Sequence, residues 1–151
     1  GCADDVGFIV ELLKDLKSRY CLDESRIHGT GMSAGAIFLY YLATTKAVGP
    51  QLASIVPVEG SFLVGFLDMP KVPMPVIDIH GTKDDCVPAN VSNSWGPYKY
   101  TGCPRQRLGK EGCTVGDDGF LYTPQAEILQ QWSVVNSCGA EAASVALQTP
   151  W

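Results

Sequence analysis

A serine between two glycines is the part of this sequence best suited to chemistry. Residues 31–35 read Gly-Met-Ser-Ala-Gly, with Ser33 at the centre. A serine hydroxyl attacks a carbonyl carbon only when it is exposed, oriented and deprotonated by a neighbouring base. A tight turn from a strand into a helix projects the hydroxyl outward, and Gly31 and Gly35 let the strained backbone pass. The pattern therefore predicts a nucleophilic Ser33, with the N–H of Ala34 stabilising an oxyanion.

An acidic residue that could support this serine lies later in the chain. The segment His80-Gly81-Thr82-Lys83-Asp84-Asp85 follows an apolar run. Nucleophile before acid is the chain order in one large class of serine hydrolases. A carboxylate in this loop could orient a catalytic imidazole, and we choose Asp84 for that role. Asp85, its neighbour, and Glu59, after the preceding strand, are the competing choices, and aspartates also cap turns without further function.

The chain has two histidines, and neither suits the role of base. His28 lies in the strand before the serine, and His80 precedes the acid at a strand end, so both are expected to be structural. A triad histidine should follow the acid, but residues 86–151 contain none. We therefore expect the base to lie outside these 151 residues. The isolated 151-residue piece should then hydrolyse esters poorly.

Elements of alternating type must position these residues. Apolar spacings of three and four predict helices over 4–20, from Ala34 to near Gly49-Pro50, and from an N-cap at Thr123 with Pro124 in the first turn. Strands are predicted at 26–30, 53–58, 75–80 and 143–147, and residues 88–122 are expected to form a long loop. The apolar stripe predicted for the second helix consists of Ala34, Ile37, Phe38, Tyr41 and Leu42. This alternation predicts an α/β fold with a mostly parallel sheet.

The composition excludes several classes of partner. A net charge of −5 and a pI of about 4.8 argue against binding to nucleic acid or to an anionic membrane. No apolar run reaches the roughly 20 residues of a membrane span. Six cysteines without zinc-type spacing indicate disulfides in an oxidising compartment rather than a metal site. Any signal peptide would lie upstream of this chain, and Asn90-Val91-Ser92 is a glycosylation sequon that can also arise by chance.

Several segments resemble, in order along the chain, the polyhydroxybutyrate depolymerase / feruloyl esterase family of the α/β-hydrolase superfamily. They are residues 4–9, 26–35, 55–60, 80–84 with Val87-Pro88, 119–124, Trp132 and 136–138. Residues 91–118, with Cys103 and Cys113, look like a loop insertion. The resemblance implies one partial α/β-hydrolase domain over residues 1–151, without the family's N-terminal strands and C-terminal histidine segment.

The resemblance also implies an activity. The family suggests a secreted serine esterase that needs no metal or organic cofactor and forms an acyl-enzyme through a Ser-His-Asp triad, with Ser33 as nucleophile and Asp84 as acid. Its expected partners are feruloyl esters of plant polysaccharide, hydroxyalkanoate polyester, or a small ester. Glu59 stands where the family more often has a small residue, and Cys86 is uncommon beside the acid. Two alternatives remain: an acetyl-xylan or general carboxylesterase, and a non-catalytic homologue that binds a partner.

Overall fold

The fold alternates helices and strands along the chain. The computed structural model of this protein describes residues 3–63, 70–84, 86–89, 114–115 and 121–139. Its elements in chain order are α1 (Asp5–Arg19), β1 (His28–Met32), α2 (Ala34–Thr44), β2 (Ser54–Val58), β3 (Thr114–Val115), β4 (Leu121–Tyr122) and α3 (Gln125–Val135). Short 3₁₀ turns at Glu24–Arg26 and Gly49–Gln51 precede β1 and β2. The predicted α/β class is confirmed, and the arrangement is consistent with part of an α/β-hydrolase fold.

The sheet that matters for chemistry is parallel. β1 and β2 pair in register, with His28 opposite Ser54 and Met32 opposite Val58. The segment predicted as a strand at 75–80 lies along the other side of β2. Val76 bridges Ile55 and Ile79 bridges Val58, both in parallel sense. Four backbone hydrogen bonds of 2.8–3.1 Å join this segment to β2 and to Glu59, the residue that follows β2. The segment thus acts as a less regular strand of the same parallel sheet. It is called the third strand below and is distinct from β3.

Because all three strands run the same way, their carboxyl ends meet at one edge of the sheet. Ser33 follows β1, Glu59 follows β2, and His80 follows the third strand. Parallel sheets present their binding residues at this edge, in loops that need not follow the strand geometry. The fold therefore brings together the three loops that the sequence marked as chemical.

Helix α2 covers one face of this sheet. Its side chains join a buried cluster of Leu39, Tyr40, Ala43, Ile55, Phe62, Met74, Ile128 and Trp132. The Tyr40 and Phe62 rings meet edge to face, with centroids 4.9 Å apart. The predicted apolar stripe of α2 is confirmed only at Leu42, which is buried, because Ile37 and Phe38 are half-buried and Ala34 and Tyr41 are exposed. A helix apolar on nearly every side gives no periodic signal, so packing against the sheet chooses its inner face.

Helix α2 is also shorter than predicted. It ends at Thr44, and Thr45 turns into extended backbone. The Thr45 hydroxyl donates to the Leu42 carbonyl, and the Val48 N–H donates to the Thr45 hydroxyl. These side-chain bonds compete with the continuing helix, as threonine hydroxyls commonly do. The Gly49-Pro50 signal belongs instead to the following 3₁₀ turn.

Helix α3 is fastened to the third strand at both ends. At its start the Gln125 amide donates to the Asp78 carboxylate. At its end the Asn136 side chain accepts from the Met74 N–H at 2.9 Å and donates to the Met74 carbonyl at 2.8 Å. The N-cap is Pro124 rather than the predicted Thr123, and no side chain caps it. The Thr123 N–H instead donates a hydrogen bond to the Phe62 carbonyl.

Helix α1 forms as predicted but buries no residue against the rest of the described chain. Asp4 caps it by accepting from the Gly7 N–H at 2.8 Å. Lys17 joins it to the following turns through Gln51 and Glu24. Tyr20, the last member of the predicted apolar stripe, lies beyond the helix and is exposed.

Part of the predicted loop at 88–122 is ordered as a short antiparallel pair, because β3 and β4 match Thr114 with Tyr122. Tyr122 is buried and also bridges Leu63. Two residues per strand are too few to show periodicity, so sequence patterning could not find them. The remainder of the 91–118 insertion, the sequon at Asn90 and the strand predicted at 143–147 lie outside the described residues.

A test of this packing compares two glycines near Ser33. A Cβ on Gly60 would lie 2.3 Å from the Ala36 Cβ and 3.0 Å from backbone, whereas a Cβ on Gly35 meets no described atom within 4 Å. Gly60→Ala should therefore lower the free energy of unfolding by about 1–3 kcal/mol. Gly35→Ala should leave it unchanged or raise it by up to about 1 kcal/mol, since alanine favours a helix. Urea unfolding followed by circular dichroism measures both, and equal effects would contradict the α2–β2 contact.

Candidate active site

The backbone at Ser33 is bent sharply between β1 and α2. Ser33 has φ 53° and ψ −121°, a left-handed conformation that costs a non-glycine residue free energy. Its N–H donates to the Val58 carbonyl at 2.9 Å, while its own carbonyl accepts from Ala36 and Ile37 at 2.9 and 3.0 Å. The first bond ties the turn to β2 and the other two start the helix. Ser33 is exposed, so its hydroxyl is open to a substrate.

Ala34 is the first residue of α2 and is exposed. The N–H groups of the first helical turn have no acceptor within the helix, so the Ala34 N–H is free of that ladder. The partial positive charge at a helix start adds to the attraction for an anion. The geometry therefore suits a developing oxyanion beside Ser33.

Close packing around the turn requires two glycines, Gly31 and Gly60. A Cβ on Gly31 would lie 2.6 Å from the Gly35 carbonyl oxygen. Gly60 packs closely against α2 from the other side, with Ala36 as its nearest contact. The start of the helix therefore lies between the ends of β1 and β2. At Gly35 the described residues leave the space open. Sequence reasoning missed the packing role of Gly60, whose only signal was its place two residues past the end of β2.

Asp84 lies in the loop after the third strand and is largely buried, with its side chain 13% exposed. Its Oδ1 accepts from the backbone N–H groups of Cys86 and Val87, both at 2.9 Å. Its Oδ2 lies 3.5 Å from His80 Nε2. The carboxylate is thus held by its own loop, at the same sheet edge as Ser33. Asp85, the adjacent alternative, lies outside the described residues.

Glu59, the other alternative acid, occupies the loop between these two. Its φ of 50° places it in the left-handed region as well, and its N–H donates to the Ile79 carbonyl at 2.8 Å. Its Oε1 and the Asp84 Cβ both lie within 4 Å of the point where a Cβ on Gly81 would sit. Two carboxylate side chains therefore converge on Gly81.

A buried polar cluster lies under the acid loop. Asp78, 3% exposed, accepts hydrogen bonds from the Tyr40 hydroxyl and from the Gln125 amide. Burial is the main reason why the pKa of the Asp78 carboxyl is raised above its ordinary value of 3.8, although the bond from Tyr40 and the nearby His80 oppose that rise. Burial likewise raises the pKa of the Tyr40 hydroxyl, and the charge of Asp78 adds to this effect. The sequence signalled none of this, because Asp78 sits alone within an apolar strand.

Neither histidine is free to act as the base for Ser33. His28 begins β1 at the opposite edge of the sheet, about 16 Å from Ser33 at roughly 3.3 Å per residue. There its Nδ1 shares a hydrogen bond of 2.7 Å with the Ser54 hydroxyl. His80 is 5% exposed, and its Nε2 donates to the Val87 carbonyl at 2.6 Å.

The described residues contain no cluster of three or more His, Cys, Asp or Glu that could hold a metal ion. Cys21, Cys86 and Cys138 are exposed free thiols, so the disulfides expected from the cysteine count are not confirmed for these three. The other cysteines lie outside the described residues. Among the helices that the structure describes, none is long and apolar enough to cross a membrane.

Among the known proteins that this chain resembles, three are named as esterases. A bifunctional acetylxylan esterase/xylanase of Neocallimastix patriciarum is 26% identical over 81 residues. A protein of Aspergillus clavatus named "Probable feruloyl esterase C" is 29% identical over 108 residues. Feruloyl esterase B of Piromyces equi is 29% identical over 90 residues. No family model matches the chain.

These similarities are partial. The matched stretches cover 54%, 70% and 58% of this chain, but only 12%, 39% and 17% of the three relatives. The chain thus spans well under half the length of the relatives that it matches. The similarities support a carboxylic ester hydrolase at the level of the family. None of the three relatives is named as a polyhydroxybutyrate depolymerase, so that part of the resemblance is not shown.

The buried Asp78 generates a prediction about pH. Because its pKa is raised in the native state, the folded protein binds this proton more tightly than the unfolded chain. The contribution of Asp78 to stability is therefore greatest in acid and falls as the pH rises from about 4 through the raised pKa. Asp78→Asn removes this ionisation, so the variant should not lose that stability. The free energy of unfolding of the variant minus that of the wild type should therefore increase as the pH rises. Chemical denaturation at several pH values between 4 and 8 measures the difference.

Asp23 supplies a control of opposite sign. It is exposed, and its hydrogen bonds, chiefly from the Ser25 side chain, lower its pKa. Its stabilising contribution is present above pH 4 and is lost in stronger acid. Asp23→Asn should therefore unfold more easily than the wild type throughout pH 4–8, and the difference should disappear only when the measurements are extended below pH 4. The same pH trend in both variants would contradict the burial of the Asp78 charge.

Proposed function

We propose that this protein is a serine carboxylic-ester hydrolase in which Ser33 is the nucleophile. The observation that carries the proposal is the exposed Ser33 in a left-handed conformation at the turn from β1 into α2. Strain of this kind persists only where the surroundings enforce it, and it gathers at functional sites. The similarity to three esterases supports the same chemistry. Ser33 attacks the ester carbonyl, the alcohol leaves, and water then hydrolyses the acyl-enzyme.

Asp84 is the acid of the proposed triad. Ser33 and Asp84 follow strands that are separated by β2 alone, so the ends of those two strands stand about 10 Å apart, two strand spacings. An imidazole can bridge such a gap between a hydroxyl and a carboxylate. Asp84 Oδ1 is saturated by two backbone N–H groups, which leaves Oδ2 to orient the base.

The base is a histidine from outside these 151 residues. His28 stands at the wrong edge of the sheet, and the Nε2–H of His80 is engaged by a backbone carbonyl. The Ala34 N–H binds the oxyanion of the tetrahedral intermediate, together with a second donor from elsewhere in the protein. The mechanism requires no metal and no organic cofactor.

The proposed substrates are feruloyl or acetyl esters carried by plant cell-wall polysaccharide. This choice follows the names of the relatives, two feruloyl esterases and one acetylxylan esterase. Comparing methyl ferulate, acetylated xylan and hydroxybutyrate oligomers as substrates of the complete protein distinguishes these from polyester hydrolysis. An extracellular location follows from the same proposal.

A binding protein without catalysis is the second candidate function. The free Cys86 beside the acid and the unusual Glu59 favour it, because both depart from the expected esterase pattern. A binding protein, however, has no need of a strained and exposed serine. A histidine encoded after the acid in the complete gene would favour the enzyme, and its absence would favour the binding protein.

Covalent labelling tests the nucleophile. The complete protein should react with a fluorophosphonate probe at Ser33, and Ser33→Ala should abolish labelling, because the probe needs an activated hydroxyl. Intact-mass spectrometry and peptide mapping measure the product. Ser54→Ala is the matched control, since Ser54 is paired with a histidine at the far sheet edge and should not be labelled. Equal labelling of the wild type and Ser33→Ala would refute the assignment.

A comparison of carboxylates tests the acid. Asp84→Asn should lower kcat for an activated ester such as 4-nitrophenyl acetate by about 10²–10⁴-fold, in line with the loss of a triad acid. Glu59→Gln should lower it by less than about 10-fold, because a neighbouring charge tunes the site without holding the base. The reverse ranking would transfer the acid role to Glu59. Wild-type rates in both variants would leave Asp85 as the acid.

A further inference from the structure

His80 is hydrogen-bonded to the loop that holds Asp84. Its Nε2 lies 2.6 Å from the Val87 carbonyl oxygen, and because a carbonyl oxygen carries no proton, the hydrogen must be on Nε2. With a side chain only 5% exposed, His80 has little contact with water. A buried N–H that finds its acceptor in this way fixes both the tautomer and the plane of the ring.

Asp84 is hydrogen-bonded to the same loop through the Val87 N–H. The Val87 N–H donates to Asp84 Oδ1, so Val87 is held through its N–H by Asp84 and through its carbonyl by His80. His80 Nε2 also lies 3.5 Å from Asp84 Oδ2, the oxygen left over for the base. A displaced imidazole would therefore release Val87 and, with it, one of the two backbone bonds that orient the carboxylate.

The Nδ1 side of the His80 ring faces the buried polar cluster around Asp78. His80 Nδ1 has no hydrogen-bond partner among the described residues and lies 3.9 Å from Asp78 Oδ1. Asp78 is in turn held by Tyr40 of α2, the helix that starts at Ser33, and by Gln125 of α3. The Gln125 N–H also donates to the Ala89 carbonyl, just past the acid loop, at 2.9 Å. The ring is thus enclosed between fixed groups, and the chain of contacts runs from the serine's helix to the acid.

We propose that His80 is a positioning residue for the acid: its Nε2–H holds the Val87 carbonyl so that the Asp84 carboxylate keeps one orientation. This role rests on the proposed function, in which Asp84 orients the base of Ser33. His80 itself does not touch the substrate. Substitution of His80 should therefore lower kcat and leave KM unchanged, because a misoriented acid reduces the stabilisation of the transition state but not the binding of the substrate.

A pair of amide substitutions tests the role. The amide nitrogen of glutamine reaches the place of Nε2, whereas that of asparagine stops near Nδ1. In the complete protein, His80→Asn should lower kcat for 4-nitrophenyl acetate by about 10–100-fold, since small displacements of a catalytic group cost that much. His80→Gln should recover most of the rate. His28→Asn and His28→Gln, at the opposite sheet edge, are the matched controls and should match the wild type.

A double-mutant cycle separates this role from a general loss of structure. In an Asp84→Asn background, His80→Asn should cost less than about 3-fold more, because residues that act as one unit are not additive. The same loss in both backgrounds, or equal rates for His80→Asn and His80→Gln, would overturn the positioning role while leaving Asp84 as the acid. A wild-type rate in Asp84→Asn alone would overturn the acid, and the positioning role would fall with it.

A spectroscopic readout covers the case in which His80→Asn does not fold. In wild-type protein labelled with ¹⁵N-histidine, two-bond ¹H–¹⁵N correlation should show His80 with its proton on Nε2 at neutral pH. Among the described residues, Asp78 and Asp84 are the charged groups that face the ring, and Asp78→Asn should leave the proton on Nε2, since the Val87 carbonyl dictates it. A proton on Nδ1 instead would overturn the proposal.

Discussion

The hydrogen bond from the Ser33 N–H to the Val58 carbonyl is the constraint on which the site depends. It continues the β1–β2 ladder one residue past the strand, so the chain cannot turn away before the serine. The helix must then begin at once, and Gly31 and Gly60 make room for its first turn. The left-handed backbone of Ser33 is the consequence, because an extended conformation there would pull α2 from the sheet.

The next loops follow from the same ladder. Glu59 closes β2 by donating to the Ile79 carbonyl, just as Ser33 closes β1, and it too has positive φ. The parallel register therefore places Ser33, Glu59 and the loop that holds Asp84 at one edge of the sheet. Backbone hydrogen bonds, rather than side-chain contacts, set the spacing between these groups.

The core beneath this edge is part apolar and part polar. Tyr40 serves both parts, with its ring packed on Phe62 and its hydroxyl bonded to Asp78. A buried carboxylate costs stability unless it accepts hydrogen bonds, and here α2 and α3 each provide a donor to Asp78 Oδ2. The cluster thereby ties both helices to the third strand, directly under the loop that holds Asp84.

The sequence by itself determined the α/β alternation, through apolar spacing, and it proposed Ser33 and Asp84 as site residues from glycine placement and the order of residues along the chain. It failed where the information is not local. The inner face of α2, the end of that helix at Thr44 and the N-cap at Pro124 were decided by packing and by competing hydrogen bonds. The roles of Gly60, Asp78 and His80 came only from the tertiary structure, because each depends on a partner from a distant segment. Ser33 could be singled out as a candidate from the sequence, but its contact with β2 and its distance from His28 are properties of the sheet, which no spacing along the chain encodes.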